Sequence, residues 1–298
     1  MVRIVEVGPR DGLQNEKTPI SSELKLGFVS ELGRAGLREI EATSFVSPKW
    51  VPQLADAAEV WRALPAGPLY SALVPNARGL QTALEVGAHR IAVFTAASEA
   101  FVQKNLNMTI DESLSGFSEM ISELRAHAPD AWVRGYVSTI FACPYAGEID
   151  ARAVIRVVNS LSEMGVDEIS LGDTIGVGVP GDVRRLHAAL TQDSLAKPES
   201  IAWHFHDTRG TAIANVAQAL ELGYATFDAS AGGLGGCPYA PGAGGNLATD
   251  DLVYFLERSG VETGVNALAL AEASLPILEA LGRNPISKAQ IALLSARG

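Results

Sequence analysis

Residues 2–14 read VRIVEVGPRDGLQ, a β-type run that passes directly into a polar turn. The run is rich in Val and Ile, which favour strands. The turn does not have the glycine-rich sequence that binds phosphate after the first strand of a doubly wound open sheet. This stretch therefore favours a strand that belongs to a barrel, and the open sheet is the alternative.

Seven further β-type runs occur along the chain, and a helix-length segment follows each one. They span residues 38–43, 69–74, 90–95, 132–140, 167–171, 201–206 and 225–230. Each interval leaves room for a crossover helix, which a parallel connection needs. Eight such units predict a TIM (β/α)8 barrel with extra C-terminal helices. We expect one catalytic domain over residues 1–298, with the barrel in about 2–262 and a helical segment in about 265–298.

Composition and charge limit the classes of partner. The 298 residues are 47% hydrophobic and 19% charged, which is typical of a well-packed globular protein, and the net charge is −11. Lys and Arg nowhere cluster into the basic surface that nucleic acids need, so we expect no nucleic-acid partner.

No apolar run reaches the roughly 18 residues of a membrane span. Cys143 and Cys237 are too few for a disulfide framework, and the N-terminus has no signal-peptide pattern. We expect a cytoplasmic protein without a membrane partner.

Polar residues gather where the predicted strands end. In TIM barrels the active site forms at the C-terminal ends of the strands. The polar residues are Arg10, Asp11 and Gln14 after the first run, Glu41 and Ser44 at the second, Asn76 after the third, Asp173 after the sixth, and His204, His206 and Asp207 at the seventh. A glycine-rich loop over residues 232–246 follows the eighth run. The sequence therefore predicts an active site at this end of the barrel.

Two histidines of the seventh run are candidate metal ligands. His204 and His206 are two residues apart, so both side chains lie on the same face of a strand. This spacing alone is equally typical of hydrogen-bonded core histidines. Asp11 follows the first strand, which lies close to the seventh in a closed barrel, and Asn246 adds an amide. These mixed nitrogen and oxygen ligands suit Mg²⁺ or Mn²⁺ better than a tetrahedral Zn²⁺. The remaining histidines do not follow strands, which disfavours an amidohydrolase.

Arg10 and Glu41 are further candidates for the site. Arg10 could stabilise an enolate oxygen as charge develops on it, or form a structural ion pair with Glu6 or Glu41. Together with Gln14 it is a candidate substrate-binding residue. Glu41 lies in a buried strand and needs a partner. It could orient Arg10, hold a metal-bound water, or serve only in a structural ion pair.

Four stretches carry a family resemblance. They are residues 5–16 (VEVGPRDGLQNE), 43–52 (TSFVSPKWVP), 172–176 (GDTIG) and 233–240 (GLGGCPYA). They resemble 3-hydroxy-3-methylglutaryl-CoA lyases over residues 3 to about 265. The first and last stretches are highly specific, whereas the histidine motif alone would indicate only the wider superfamily of Claisen-type metal barrels.

The resemblance implies a complete set of roles. It implies a divalent cation, Mg²⁺ or Mn²⁺, held at positions matching Asp11, His204, His206 and Asn246. It also implies an arginine matching Arg10 that acts on the thioester side, and a catalytic cysteine matching Cys237. The substrate would be an acyl-CoA cleaved to acetyl-CoA and acetoacetate, commonly in leucine breakdown and often by a homodimer.

The sequence differs from the family pattern at two places, and three other functions remain as alternatives. Arg209 stands where the family has tyrosine, and residues 229–232 read ASAG instead of the usual Ser-Ser-Val-Ala. A related 3-hydroxy-3-alkylglutaryl-CoA is therefore an alternative substrate. The rivals are a Claisen-condensing synthase, which usually has a long C-terminal extension, a biotin-dependent carboxyltransferase, and a non-catalytic barrel. The carboxyltransferase typically needs a lysine on a middle strand, but Lys104 and Lys197 lie in connecting segments.

The position of Cys237 generates a first prediction. It lies among glycines that let the backbone approach a ligand, and a thiol with a pKa near 8.5 can donate a proton to an enolate carbon. Serine is similar in size but a far weaker acid, so Cys237→Ser should bind metal normally and lose most turnover. Steady-state kcat measures this, with Cys143→Ser as the matched control. A kcat near wild type would assign proton donation to another group.

Overall fold

A computed structural model of the protein describes residues 2–236 and 245–296. Its ten strands, numbered in chain order, are β1 (Arg3–Glu6), β2 (Glu39–Ser44), β3 (Leu69–Leu73), β4 (Arg90–Ala96), β5 (Trp132–Ser138), β6 (Ala142–Cys143), β7 (Gly147–Glu148), β8 (Glu168–Asp173), β9 (Ile201–Phe205) and β10 (Thr226–Ala229). Eight of them form a closed parallel barrel in the order β1-β10-β9-β8-β5-β4-β3-β2. The predicted barrel is confirmed, and the open sheet is wrong because β1 pairs with both β10 and β2.

Each predicted run coincides with one barrel strand, and the bounds agree within two residues. The antiparallel hairpin of β6 and β7 is an addition that the sequence did not predict. Its strands are only two residues long, too short to produce a recognisable alternation of apolar and polar residues.

Helices surround the barrel. They are α1 (Ser22–Arg34), α2 (Ala57–Arg62), α3 (Ala77–Glu85), α4 (Glu99–Leu106), α5 (Ile110–His127), α6 (Ala151–Glu163), α7 (Pro180–Asp193), α8 (Ala212–Glu221), α9 (Thr249–Arg258), α10 (Ala267–Ala273), α11 (Leu275–Ala280) and α12 (Lys288–Ser295). The predicted extra C-terminal helices are α10, α11 and α12, of which α10 packs against α1 and α9. The expected domain bounds stay a prediction. Among the described helices, none is long and apolar enough to cross a membrane.

Local signals explain where several helices begin. Ser21 accepts a hydrogen bond from the backbone N–H of Leu24 and caps α1. At the start of α5, Thr109 and Glu112 each accept a hydrogen bond from the other's backbone N–H. This reciprocal arrangement is a capping box, and it satisfies two donors that have no partner within the helix.

The motif Trp203-His204-Phe205 determines which side chains of β9 face the interior of the barrel. Trp203 and Phe205 are buried against the helices, with ring centroids 5.3 Å apart and nearly parallel planes. Because successive side chains on a strand point to opposite faces, His204 faces inward. The apolar packing outside the barrel thus fixes the position of a polar group inside it.

Ion pairs fill the N-terminal part of the barrel interior. Arg3 contacts Glu39 at 2.8 Å and Glu168 at 2.7 Å. Arg134 is 1% exposed and contacts Glu168 at 3.1 Å and Asp228 at 2.5 Å. A buried charge that loses its partner is strongly destabilising. These contacts therefore link five strands of the barrel through their side chains.

Candidate functional site

The residues that follow β1 form a single π-helical turn, Gly8–Gly12. The N–H of Gly12 donates to the carbonyl of Val7 at 3.1 Å, and the N–H of Asp11 donates to the same oxygen at 2.7 Å. Pro9 suits the first turn because its missing N–H would have no partner there. The turn places the side chains of Arg10 and Asp11 at the C-terminal mouth of the barrel, and such turns are frequent at functional sites.

Asp11, His204 and His206 form a cluster that could hold a metal ion. One ligand atom from each lies within 4.8 Å of the others. Asn246 joins them, because its Nδ2 donates to Asp11 Oδ2 at 2.8 Å. The structure therefore brings together all four residues that were predicted as ligands.

Two buried atoms support the fit of a cation to this cluster. Asn246 Oδ1 and His206 Nδ1 are enclosed and have no hydrogen-bond partner among the described residues. Enclosed polar atoms without a partner are costly, and an electron-pair donor of this kind can be satisfied by a metal ion. With a carboxylate, two imidazoles and an amide oxygen, the donor set suits Mg²⁺ or Mn²⁺.

The protonation states of Asp11 and His206 also suit a cation, whereas the pKa of His204 is raised because the effect of burial is outweighed by its hydrogen bond to Asp228. Burial raises the pKa of Asp11, but Arg10 and the two histidines outweigh it and lower the pKa to about 2. Burial and the neighbouring His204 lower the pKa of His206 to about 4. At neutral pH Asp11 is therefore ionised and His206 is neutral, which are the forms that bind metals.

Arg10 is held rigidly beside this cluster. Its Nε donates to Glu41 Oε2 at 2.7 Å, and its Nη1 donates to Asp11 Oδ1 at 2.7 Å and to Gln14 Oε1 at 3.3 Å. Of the two ion pairs that the sequence allowed, the pair with Glu41 forms. Glu6 instead bonds elsewhere, and Glu41 also accepts from the Tyr136 hydroxyl at 3.1 Å. These contacts are those expected if Glu41 orients Arg10.

A cavity of about 600 Å³ opens at this end of the barrel. One side carries the polar residues Arg10, Asp11, Gln14, His204 and His206. The opposite side includes the apolar residues Val46, Val51, Leu73, Phe94, Leu106 and Met108. Lys104, which the sequence placed in a connecting segment, lies on α4 and lines the same cavity.

Three other polar residues predicted at this edge form local contacts away from the cluster. Asn76 accepts from the N–H of Gly79 and caps α3. Asp207 accepts from the N–H of Ala212 at the start of α8. Asp173 accepts from two backbone N–H groups of the following loop, including that of Gly178 at 2.8 Å. Cys237 lies outside the described residues.

The sequence reasoning missed a layer of polar residues directly beneath the cluster. Asp228, Arg134, Tyr136 and Ser170 are buried and hydrogen-bonded to one another or to site residues. Their signal in the sequence was a charged or polar residue at an inward position of a barrel strand. Strand alternation alone would have identified Asp228 and Arg134, because such positions normally carry branched apolar residues.

A family model described as HMGL-like matches residues 1–277. The chain belongs to this family. Individual relatives match nearly the whole length of the chain.

Two relatives and one solved structure illustrate the similarity. The mitochondrial hydroxymethylglutaryl-CoA lyase of Bos taurus is 50% identical over 289 residues, which are 96% of this chain and 88% of the relative. The 3-hydroxy-3-isohexenylglutaryl-CoA/hydroxy-methylglutaryl-CoA lyase of Pseudomonas aeruginosa is 49% identical over 296 residues, 99% of this chain and 97% of the relative. A crystal structure of hydroxymethylglutaryl-CoA lyase from Pseudomonas aeruginosa matches with a TM-score of 0.95 and 49% identity, covering 99% of this chain and 98% of that one. The resemblance recognised in the sequence motifs is confirmed.

Glu6, at the end of β1, forms hydrogen bonds with the segment that follows the neighbouring strand β10. It accepts hydrogen bonds from the N–H groups of Gly8 at 2.8 Å and Ala231 at 2.9 Å, and from the Thr249 hydroxyl at 2.6 Å. Burial raises the pKa of Glu6 to about 7, although these three hydrogen bonds lower it. The folded protein therefore binds a proton here that the unfolded chain releases at lower pH.

This difference predicts a pH-dependent effect of Glu6→Gln. The cost of burying the ionised form is absent below pH 4.5, grows as the pH rises to about 7, and stays constant above that. Glutamine keeps an acceptor for the two N–H groups and has no charge. The free energy of unfolding of the variant should therefore rise relative to wild type between pH 5 and 8, by on the order of 3 kcal/mol.

Urea unfolding at both pH values measures this difference. The exposed Glu163→Gln is the matched control and should give the same difference at pH 5 and 8. A pH-independent effect of Glu6→Gln would contradict the assignment of a raised pKa to this carboxyl.

Proposed function

We propose that the protein is a metal-dependent lyase that cleaves 3-hydroxy-3-methylglutaryl-CoA to acetyl-CoA and acetoacetate. The observation that carries this proposal is the convergence of Asp11, His204, His206 and Asn246 beside a buried arginine. The chain around this site is about half identical to proteins named hydroxymethylglutaryl-CoA lyase over nearly its whole length.

The reaction is a retro-Claisen cleavage. A base removes the proton of the tertiary hydroxyl, the bond between C2 and C3 breaks, and acetoacetate leaves. The electron pair of that bond becomes the enolate of acetyl-CoA, which takes up a proton at carbon. A divalent cation held by the four converging side chains would lower the pKa of the hydroxyl. Asp11 is the candidate base among these side chains, because a His204 that binds the ion through Nε2 and donates from Nδ1 to Asp228 has no free electron pair.

Arg10 is proposed to offset the charge of the enolate oxygen. Glu41 and Asp11 hold its guanidinium at the cavity wall, so little reorganisation is needed as the charge develops. The N–H groups of Nε and Nη1 are used by Glu41, Asp11 and Gln14. Nη2 contacts only Glu41 among the described residues and retains a hydrogen for the substrate. Gln14, which is bonded to Arg10, is proposed to bind the same part of the substrate.

Other expectations stay predictions. Proton donation by Cys237, the homodimer, a role in leucine breakdown and the cytoplasmic location belong to this group. The bovine relative is named a mitochondrial protein, so family membership does not fix the compartment.

Metal removal tests the proposed function. Exhaustive treatment with EDTA should abolish the release of acetoacetate from the CoA ester, and Mg²⁺ or Mn²⁺ should restore it. His206→Ala should weaken Mn²⁺ binding by at least about tenfold, because even partners outside the ligand set contribute that much. Its circular dichroism and thermal unfolding should stay close to wild type.

His187→Ala is the matched control, because His187 is bonded to Tyr224 outside the site. Full activity in protein from which metal has been removed, as checked by elemental analysis, would contradict the proposal. The same assay separates the lyase from a condensing synthase, a carboxyltransferase and a non-catalytic barrel.

A second candidate substrate is a 3-hydroxy-3-alkylglutaryl-CoA with a longer 3-alkyl group. The apolar side of the cavity supports it, since Leu73, Phe94 and Met108 offer a surface to an alkyl chain. The Pseudomonas aeruginosa relative is named for both an isohexenyl and a methyl substrate. We expect kcat/KM for a 3-isohexenyl ester within about tenfold of the 3-methyl ester, because apolar pockets discriminate weakly between chain lengths that fit. Absence of cleavage of the longer ester would exclude this candidate.

A further inference from the structure

The second ring nitrogen of His204 is held by a buried carboxylate. His204 Nδ1 lies 3.1 Å from Asp228 Oδ2, and the two residues are direct neighbours in the pairing of β9 with β10. The Ser170 hydroxyl donates to the same carboxylate oxygen at 2.8 Å. A proton on Nδ1 leaves Nε2 as the free electron-pair donor, and Nε2 faces Asp11 Oδ2 at 4.0 Å.

Asp228 is in turn fixed by a guanidinium inside the barrel. Arg134 Nη2 donates to Asp228 Oδ1 at 2.5 Å, while Arg134 Nε lies 3.1 Å from Glu168 Oε1. The side chains of Asp228 and Arg134 are 0% and 2% exposed. Arg134 compensates the buried charge of Asp228, whose carboxylate can then accept from His204 without a second cation.

The contacts continue to the other side of the cluster. Arg134 Nη1 donates to the Tyr136 hydroxyl at 3.3 Å, and this hydroxyl donates to Glu41 Oε2 at 3.1 Å. Glu41 holds Arg10, and Arg10 holds Asp11. The Tyr136 ring lies near both guanidinium groups, with centroid distances of 5.4 Å to Arg10 and 5.1 Å to Arg134. One continuous chain of hydrogen bonds therefore connects two of the candidate metal ligands through the barrel interior.

We propose that Asp228 and Arg134 are positioning residues, which fix the orientation and tautomer of His204 for metal binding. The inference rests on the proposed metal site. Partners of this kind hold the second N–H of a ligating histidine, and their loss typically weakens metal binding 10–100-fold. Neither residue lines the cavity, so each acts through His204. A purely structural role for the pair would predict lost stability with unchanged metal affinity.

The test is the Mn²⁺ affinity of Asp228→Asn, measured without substrate by electron paramagnetic resonance titration. Asparagine has the same shape, but its amide is uncharged and can donate to Nδ1, which favours the opposite tautomer. We expect a dissociation constant about 10–100-fold above wild type. Glu168→Gln is the matched control, because it removes the other carboxylate of Arg134 and has no hydrogen bond to His204. We expect it to lower stability and keep the Mn²⁺ affinity.

A second measurement needs no variant. In the wild-type protein saturated with Mg²⁺, long-range ¹H–¹⁵N correlation spectra should identify His204 as the tautomer protonated at Nδ1. The inference is overturned if Nε2 carries the proton, if Asp228→Asn binds Mn²⁺ as wild type does, or if Glu168→Gln weakens binding equally. Wild-type protein that binds no Mn²⁺ would overturn the metal site together with the inference, whereas the other outcomes leave the metal site standing.

Discussion

The buried charge of Arg134 constrains the whole interior of the barrel. A guanidinium stays ionised in proteins, so one that is enclosed must be surrounded by acceptors. Asp228 and the Tyr136 hydroxyl accept hydrogen bonds from it, and Glu168 on a third strand forms an ion pair with it. Each of these groups then has a defined position. Asp228 is hydrogen-bonded to His204, and the Tyr136 hydroxyl donates to Glu41. The buried charge of Arg134 inside the barrel thus helps to fix the positions of His204 and Glu41 at its mouth.

Barrel closure brings the site residues together. Asp11 comes from the turn after β1, and His204 comes from β9, nearly two hundred residues later. Only β10 lies between these strands in the closed sheet, and Asp228 of that strand bonds to His204. In an open sheet with free edges at β1 and β10, the same residues would have no fixed relation. The apolar layer outside β9, with Trp203 and Phe205, turns His204 toward the interior.

The sequence predicts part of this arrangement because part of it is local. Strand alternation and the room for crossover helices are local properties, and they located all eight barrel strands. The ligand cluster followed from one further rule, that the C-terminal ends of the strands meet. The same rule also selected Asn76 and Asp207, which accept backbone hydrogen bonds at the starts of α3 and α8 and do not join the cluster. Helix caps and metal sites use the same residue types, and a single sequence does not separate them. The contacts of Arg134 depend on strand register, which no local pattern encodes.

The charges at the cavity explain why a cation matters to a site that binds an anionic substrate. The protein carries a net charge of −11, so its overall field repels such a substrate. Arg10 is the buried cation of the site, but it faces the two carboxylates of Glu41 and Asp11. These three groups together provide no excess positive charge. Lys104 lies in the cavity wall but is exposed, where water and salt screen its charge. A divalent ion at Asp11, His204, His206 and Asn246 would reverse the local sign, because its charge exceeds that of the one carboxylate that holds it. It would also leave Arg10 free to respond to the charge that develops on the thioester oxygen.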